Sequence, residues 1–472
     1  MQMKAKNHLS DIAVSLAGRV AQGARPRTPK IHLIRNGSID QLLVVNGSRL
    51  YEIPTDLATK IDSVVETGDD EALSQILVDI GLEAPLAIDD QPLESPSVHA
   101  LSLAIAQKCN LGCSYCYAQQ GDFGTAAKNM PLETAIEAVD MLLKGVPKGS
   151  RVNLAFLGGE PLANRKVLRQ TTEYAAKQAE VAGVEIGYSI TTNGTLLTEE
   201  DGLFFENYGF AVTISLDGVE DVHNRLRPFK SGAGSFEHIM SRVKFLLTLQ
   251  KKMQVSARVT VTPQNMNLPQ TLDYFIAAGF HSVGFSPLLH ASNSQNEMTQ
   301  TDLTEMLAAM ISCGLAFEQQ VLQGRRYPFL NMVNALRELH RGTHRPYPCG
   351  AGAGYLGVSA DGDLAACHRF VGDPVGDMGS LKTGIDLKKQ NSWLASRHVH
   401  HQEPCKSCWA RYLCGGGCHH EVIARGRTAC DFIRGWLHYT IQAYGRLSEL
   451  VPDWFQNETS NKERQSLRSE VS

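Results

Sequence analysis

The chain has 472 residues, a net charge of −4, 43% hydrophobic and 20% charged residues. That length suits roughly two or three domains. The mild acidity gives no reason to expect bulk nucleic-acid binding, and no run of about 18 apolar residues offers a membrane span. Basic residues near the start are not followed by an apolar core of signal-peptide length, so the expectation is a cytoplasmic protein without membrane or nucleic-acid partners. Eleven cysteines, clustered rather than spread, point in that compartment to metal binding more than to disulfides.

Residues 1–30 are polar and basic, interrupted by Pro26 and Pro29. A flexible segment is expected, with at most a short amphipathic helix near Asp11–Val20. Residues 31–96 form a small module and linker. Strands are expected over Ile31–Arg35, Gln41–Val45 and Arg49–Ile53, separated by the turn dipeptides Asn36-Gly37 and Asn46-Gly47. Two helices follow. Leu57, Ile61, Val64 and Val65 line one face of the first, and Leu73, Ile76, Leu77 and Ile80 line the second, with Asp69 or Asp70 as its cap. Pro85–Pro96 reads as the linker.

Residues 97–330 alternate strand and helix. The strands are Leu101–Ala106, Val152–Leu157, Ile186–Thr192, Ala211–Leu216, Val255–Val261 and Ser282–Pro287. Amphipathic segments lie between them near Pro131–Leu143, Arg165–Ala182, Thr198–Asn207, Ser235–Leu249 and Leu268–Ala278. This order predicts an α/β fold, a parallel sheet with helices outside, curled by right-handed crossovers into a barrel or part of one. Ligand sites in such folds sit at the C-terminal strand ends. Residues 331–455 hold a bridge, with helices over Asp302–Gln319 and Leu330–His340 leading into it, and a cysteine-rich region. Residues 456–472 read as a disordered tail.

Directly after the first strand, Cys109, Cys113 and Cys116 are spaced C-x3-C-x2-C. Three thiolates in so short a loop can hold a four-iron cluster and leave one iron without a protein ligand. A structural zinc site wants four closed ligands, and no fourth Cys or His is near. Gly158-Gly159-Glu160-Pro161 ends the second strand, where the glycines allow a close backbone approach and the carboxylate can accept from an ammonium. Thr191-Thr192-Asn193-Gly194 and Ser215-Leu216-Asp217-Gly218 offer hydroxyl and amide groups at the next two strand ends, or simple turns. The arginines of His223–Pro228 suit a carboxylate or a solvent-facing loop equally. Cys313 stands alone on a helix and reads as a small buried apolar residue. A second cysteine field runs through Cys349, Cys367, Cys405, Cys408, Cys414, Cys418 and Cys430. Cys405-x2-Cys408 alone would suit a zinc knuckle.

The first cysteine loop resembles the signature of the radical S-adenosylmethionine (radical SAM) enzymes. The resemblance implies a partial (βα)6 TIM-like barrel in which the amine and carboxylate of SAM chelate the free iron. One electron then cleaves the sulfonium, and a 5′-deoxyadenosyl radical takes hydrogen from an unactivated C–H bond. It also implies SAM contacts from Tyr115, Gly158, Gly159, Glu160, Thr192, Asn193, Ser215 and Arg227. The strand-and-helix module at 31–96 resembles the winged-helix peptide-recognition elements fused to such enzymes, a plain structural cap being the competing reading. The later cysteines resemble the SPASM domain, which holds two auxiliary [4Fe–4S] clusters and would bring the total to three. By position, Cys405, Cys408, Cys414 and Cys430 would hold the outer cluster, and Cys349, Cys367 and Cys418 the inner one. That leaves the inner set one ligand short, with His344 nearby.

The stretches CNLGCSYCYAQQGDFG and YPCGAGAGYLGVSADGDLAACHRF most resemble the quinohemoprotein amine dehydrogenase maturases. That resemblance implies Cys-to-Asp or Cys-to-Glu thioether links in a small protein substrate, the dehydrogenase γ-subunit. It also implies an electron donor such as a flavodoxin or ferredoxin, and a carboxylate base, for which Asp217 and Asp221 are candidates by position. Formylglycine-forming sulfatase maturases are an alternative. In them an Asp follows the second auxiliary cysteine, where this chain has His368. An alternative of another class, a non-catalytic iron–sulfur or zinc scaffold, explains the cysteines but not Gly158–Pro161.

Overall fold

A computed structural model describes residues 2–35, 40–82, 90–291, 294 and 296–456. The Asn36-Gly37 turn, the start of the linker and the tail from 457 onward lie outside the described residues. In chain order, α1 (Gln2–Gly23) precedes β1 (Ile31–Ile34), β2 (Asp40–Val44), β3 (Arg49–Ile53), α2 (Thr55–Thr67) and α3 (Asp70–Asp79). Next come β4 (Ala100–Gln107), β5 (Lys128–Asn129), α4 (Leu132–Leu143), β6 (Arg151–Gly158), α5 (Arg165–Ala182), β7 (Glu185–Thr192) and α6 (Glu199–Tyr208). They are followed by β8 (Ala211–Ser215), α7 (Glu220–Leu226), α8 (Phe236–Leu249), β9 (Gln254–Val261), α9 (Leu268–Ala277) and β10 (Ser282–Pro287). Then come α10 (Gln300–Leu322), α11 (Leu330–His340), β11 (Tyr355–Val358), β12 (Asp363–Ala365), β13 (Asp377–Ser380) and β14 (Gly384–Ile385). The last helices are α12 (Leu387–Arg397), α13 (Arg411–Cys414), α14 (His419–Arg425) and α15 (Cys430–Leu450).

The chain forms two compact units, one from Met1–Pro92, Thr299–Cys349 and Ala395–Asn461, the other from Leu93–Met298 and Gly350–Leu394. In the first unit, α1 packs along α10 and α15. Where a flexible segment was expected over 1–30, Gln2–Gly23 is helical, and Ala13, Ala17 and Val20 are buried. β1, β2 and β3 make an antiparallel sheet in sequence order. Leu42 and Ile53 from it pack against Ala58 and Ile61 of α2 and Leu73 and Ile76 of α3. Asp69 caps α3, accepting from the Ala72 N–H at 2.9 Å. Cys313 of α10 is fully buried.

The second unit is built on one sheet of order β10-β9-β8-β7-β6-β4-β11-β12-β13-β14, with β5 also paired to β4. The strands from β4 to β10 in this path are parallel, as their alternation with helices requires. β4 lies in the middle and every residue in it is buried, which explains its continuous apolar run. β11 adds beside β4 in parallel, and an antiparallel run continues the sheet outward. The unit boundaries therefore differ from the expected 97–330: α10 and α11 belong to the first unit, and 350–394 extends the sheet of the second. On β9 the residues Val255, Ala257, Val259 and Val261 are buried beneath helices, whereas Ser256, Arg258 and Thr260 on the opposite face are not.

Candidate active site at the strand ends

The cysteine loop leaves the C-terminal end of β4 and is clamped by the segment after α7. Gly112 N–H donates to Pro228 O at 2.8 Å and Lys230 N–H to Asn110 O at 3.1 Å. The Leu111 N–H and Asn193 Nδ2 donate to Cys109 Sγ at 3.4 and 3.6 Å. Burial pushes the Cys109 thiol pKa up, and that of Cys113 up to about 12 against the pull of Arg227. A metal would override that preference, because a coordinating thiol is deprotonated outright.

Gly158 and Gly159 do not face open space. A Cβ on Gly159 would stand 2.5 Å from Lys108 C and 2.8 Å from Gly121 Cα, and one on Gly158, whose φ is +140°, would run into the Ala106 carbonyl. They let the end of β6 press on the root of the cysteine loop. Glu160 is wholly buried. Its Oε1 accepts from Leu162 N–H (3.0 Å) and Thr192 Oγ1 (2.7 Å), and its Oε2 from Asn193 N–H (2.8 Å). Desolvation raises its pKa and these donors oppose the rise. A lone pair on Oε2 remains for a further donor such as an ammonium. The Asn193 amide donates to Asn110 Oδ1 at 3.0 Å and accepts from Thr195. Thr192 and Asn193 thus fasten β7 to Glu160 and to the cysteine loop.

Tyr115, Asp217 and Arg227 form one buried knot. The Tyr115 hydroxyl donates to Asp217 Oδ2 and accepts from Arg227 Nη1 at 2.6 Å. Arg227 Nη1 is 3.7 Å from Asp217 Oδ2, and Thr260 N–H donates to Asp217 Oδ1 at 3.0 Å. Asp217, expected as a base, is therefore an anchor whose carboxylate is already engaged on both oxygens. Asp221 is exposed in the first turn of α7, away from any such knot. Arg227 is neutralised by Asp217, although its Nε–H is buried without a partner and stands ready for an acceptor. His223, at 0% exposure, accepts from Asp217 N–H (3.3 Å) and meets Ser235 Oγ (3.1 Å), while Asn224 accepts from the first N–H groups of α8. This stretch builds the clamp rather than facing solvent.

In the first unit, Cys405, Cys408, Cys414 and Cys430 are close enough to act electrostatically on one another, and burial pushes Cys405 up to about 12. Gly415, Gly416 and Gly417 all have φ in the left-handed region, at 69°, 95° and 77°. That turn aims the N–H groups of Gly416 and Gly417 at the Cys414 sulfur. Among the described residues, no three His, Cys, Asp or Glu side chains meet at a point sized for a single ion. Thiolates that each bind a separate iron of a cluster do not need to converge in that way. Cys349 and Cys418 belong to the first unit and Cys367 to the second. His344, expected as a spare ligand, has both ring nitrogens engaged: Nε2 with Asp90 Oδ1 (2.9 Å) and Nδ1 accepting from Gly47 N–H (3.3 Å).

Two features of the second unit went unpredicted. Tyr117, next to Cys116, has its ring edge-on to His368 at 6.0 Å, beneath the Arg369 guanidinium at 5.2 Å. His368 Nδ1 meets the Tyr355 hydroxyl at 2.8 Å, and burial lowers its pKa to about 4. The other is Arg258, in register with Ser215 on β8. The regular placing of an Arg among small polar residues on one face of β9 was the available signal.

Residues 103–286 match the family model of the Radical SAM superfamily. The matched residues lie within the second unit. The chain is similar to the serine-type anaerobic sulfatase-maturating enzyme of Klebsiella aerogenes, 25% identical over 360 residues, 73% of this chain and 84% of that one. The solved structure of polyhistidine-tagged anSMEcpe with bound AdoMet has a TM-score of 0.64 at 20% identity, covering 78% of this chain and 98% of that one. SuiB of Streptococcus suis bound to the precursor peptide SuiA has a TM-score of 0.50 at 15% identity, covering 84% and 96%. At these identities the structural likeness shows a shared fold. No helix among the described residues is long and apolar enough to cross a membrane.

Proposed function

We propose that this chain is a radical SAM peptide maturase that forms Cys-to-Asp or Cys-to-Glu thioether links in a small protein, the γ-subunit of quinohemoprotein amine dehydrogenase. Cys109, Cys113 and Cys116 would hold the SAM-binding cluster. Cys405, Cys408, Cys414 and Cys430 would hold an outer auxiliary cluster. SAM at such a cluster supplies, on one-electron reduction, a radical able to take hydrogen from an unactivated C–H bond. The chain's own residues position and shield that chemistry. The Leu111 N–H and the Asn193 amide steady Cys109. Glu160 keeps a lone pair for the SAM ammonium, and Arg227 Nε–H offers a donor for its carboxylate.

The observation that carries the reading is the pairing of a cysteine loop at the end of β4 with a second, mutually close set of four thiols. Closing each thioether removes one hydrogen from carbon and one from sulfur, and auxiliary clusters suit the removal of the remaining electron. The similarity to SuiB and to sulfatase-maturating enzymes supports a peptide substrate. The three-stranded sheet with α2 and α3 would receive that peptide at a free strand edge. A sulfatase-type activity is the second reading, favoured by the 25% identity to such an enzyme. Against it stands His368 where that type resembles an Asp-bearing site. The test supplies anaerobically reconstituted protein with SAM, a strong reductant and the γ-subunit peptide. Loss of two hydrogens per link, with thiols blocked to alkylation, is expected. Deoxyadenosine without peptide change would overturn the substrate, and a mass change at a sulfatase peptide instead would favour the second reading.

A further inference from the structure

The face of β7–β10 opposite the helices is lined by small polar side chains rather than packed aliphatics. Ser189 and Thr191 of β7, Thr213 and Ser215 of β8, and Ser256 and Thr260 of β9 all remain at least partly accessible. Arg258 lies among them, on a strand flanked on both sides by others, yet its side chain is exposed. A residue on a strand flanked on both sides is exposed only where that face of the sheet is left uncovered. Its register neighbours are Ser215 on β8 and Gly284 on β10, the latter with no side chain to fill the gap.

Other arginines around this sheet have carboxylates. Arg165 and Arg169 share Asp201 at 2.8 Å each, and Arg227 has Asp217. Arg258 has none among the described residues, and its side-chain bond is Nη2 to Ser286 Oγ at 2.6 Å. The guanidinium reaches solvent yet lies deep among surrounding chain, which lowers its pKa. A cation held in such a place, with its remaining N–H donors unspent, is a binding site for a planar anion.

We propose that Arg258, flanked by Ser215, Thr260 and Ser286, is the subsite that holds the side-chain carboxylate of the Asp or Glu residue being modified. This rests on the thioether reading, which calls for an acidic residue next to the reacting carbon. The carboxylate of SAM is the other carrier of the same chemistry near Ser215, and the experiment separates the two.

The test uses reconstituted protein without reductant and two labelled γ-subunit peptides, identical except for Glu or Gln at the acidic position. Peptide affinity is read by fluorescence anisotropy and SAM affinity by equilibrium dialysis, for wild type, Arg258→Gln and Arg258→Lys. Wild type should prefer the Glu peptide by about 10- to 100-fold, the weight of a charge-assisted pair. Arg258→Gln should reduce that preference to within about 2-fold while SAM affinity holds, and Arg258→Lys should keep part of it. Iron content and circular dichroism confirm that each variant folds. Equal binding of both peptides by wild type, an unchanged preference in Arg258→Gln, or a loss of SAM affinity as large as the loss for the Glu peptide would each overturn the proposal. If wild type prefers the Glu peptide but turnover removes no hydrogens from it, the thioether reading fails and the carboxylate subsite stands.

Discussion

Replacing Asp217 by Ala separates an anchor from a base. The carboxylate is fully buried and its partner Arg227 is 12% exposed, so the variant strands a guanidinium in the protein interior. Breaking one side of a buried pair costs about 3–5 kcal/mol. The Thr260 N–H, which donates to Asp217 at 3.0 Å, is left unsatisfied as well, which adds about 1 kcal/mol at the low end of such penalties. The total is about 4–6 kcal/mol. At roughly 2–4 °C per kcal/mol for a unit of this size, the melting midpoint should fall by about 8–24 °C. Adding Arg227→Met removes the stranded cation and should recover about half of the loss, so the double variant should be about 2–3 kcal/mol more stable than Asp217→Ala. Anaerobic thermal melts of wild type, both single variants and the double variant supply the cycle, with iron content measured on each. The reasoning is refuted if Asp217→Ala melts within about 4 °C of wild type, keeps its iron and SAM cleavage, and loses only peptide modification. Asp217 would then be the proton acceptor.

Other expectations follow from the same contacts. His32 Nε2 and His438 Nδ1 are 2.8 Å apart and buried, and desolvation lowers both pKa values, that of His438 to about 4. An unfolded His titrates near 6.5. Between that pH and about 4 the unfolded state takes protons that the native state refuses, so stability is full above 6.5 and falls as pH drops, by up to about 1.4 kcal/mol per pH unit for each His. Melts from pH 7.5 to 5.5 should show that slope in wild type and a shallower one in His438→Gln; equal slopes would contradict it. Gly159→Ala has no room beside Lys108 and Gly121 and should cost about 1–3 kcal/mol, with weaker retention of iron by the first cysteine loop in a chelator challenge. Cys405→Ala and Cys116→Ala should each lower bound iron by about four atoms per chain. Only Cys116→Ala should abolish deoxyadenosine formation, and full iron in Cys405→Ala would remove the outer cluster.

The parallel sheet was readable because its strands carried either a period-two buried face or, in β4, a continuous apolar run, and its helices a 3.6-residue stripe. Ser282–Pro287 and Arg165–Ala182 occupy the residues that their patterns indicate, and the other five strands shift by at most a residue or so at either end. Helix α1 was underread because two of its buried residues, Ala13 and Ala17, carry a faint hydrophobic signal. Its stability comes from packing on α10 and α15, a tertiary effect that local pattern does not report. β11–β14 hid for a different reason. Strands of two to four residues in a glycine-rich stretch look like loop until an open edge, here that of β4, supplies their partner.

The site was legible as positions but not as contacts. Gly158 and Gly159 announce a close approach, and the sequence does not say whether ligand or backbone makes it; here Lys108, Ala106 and Gly121 do. Asp217 and Arg227 each look like free chemistry in a loop. Only the fold, by turning α7 back onto Tyr115, shows that they satisfy each other. Arg258 shows the converse case. In β9 the sequence Val255-Ser256-Ala257-Arg258-Val259-Thr260-Val261 alternates apolar and polar. A strand flanked on both sides in a parallel α/β sheet is normally apolar on both faces, because helices cover one and packed side chains fill the other. Polar alternation there means that the second face is not filled. The same pattern recurs on β7 and β8, so the unpacked face is a property of the sheet and not of one strand. Arg258 is the charged residue on that face, with no carboxylate partner among the described residues.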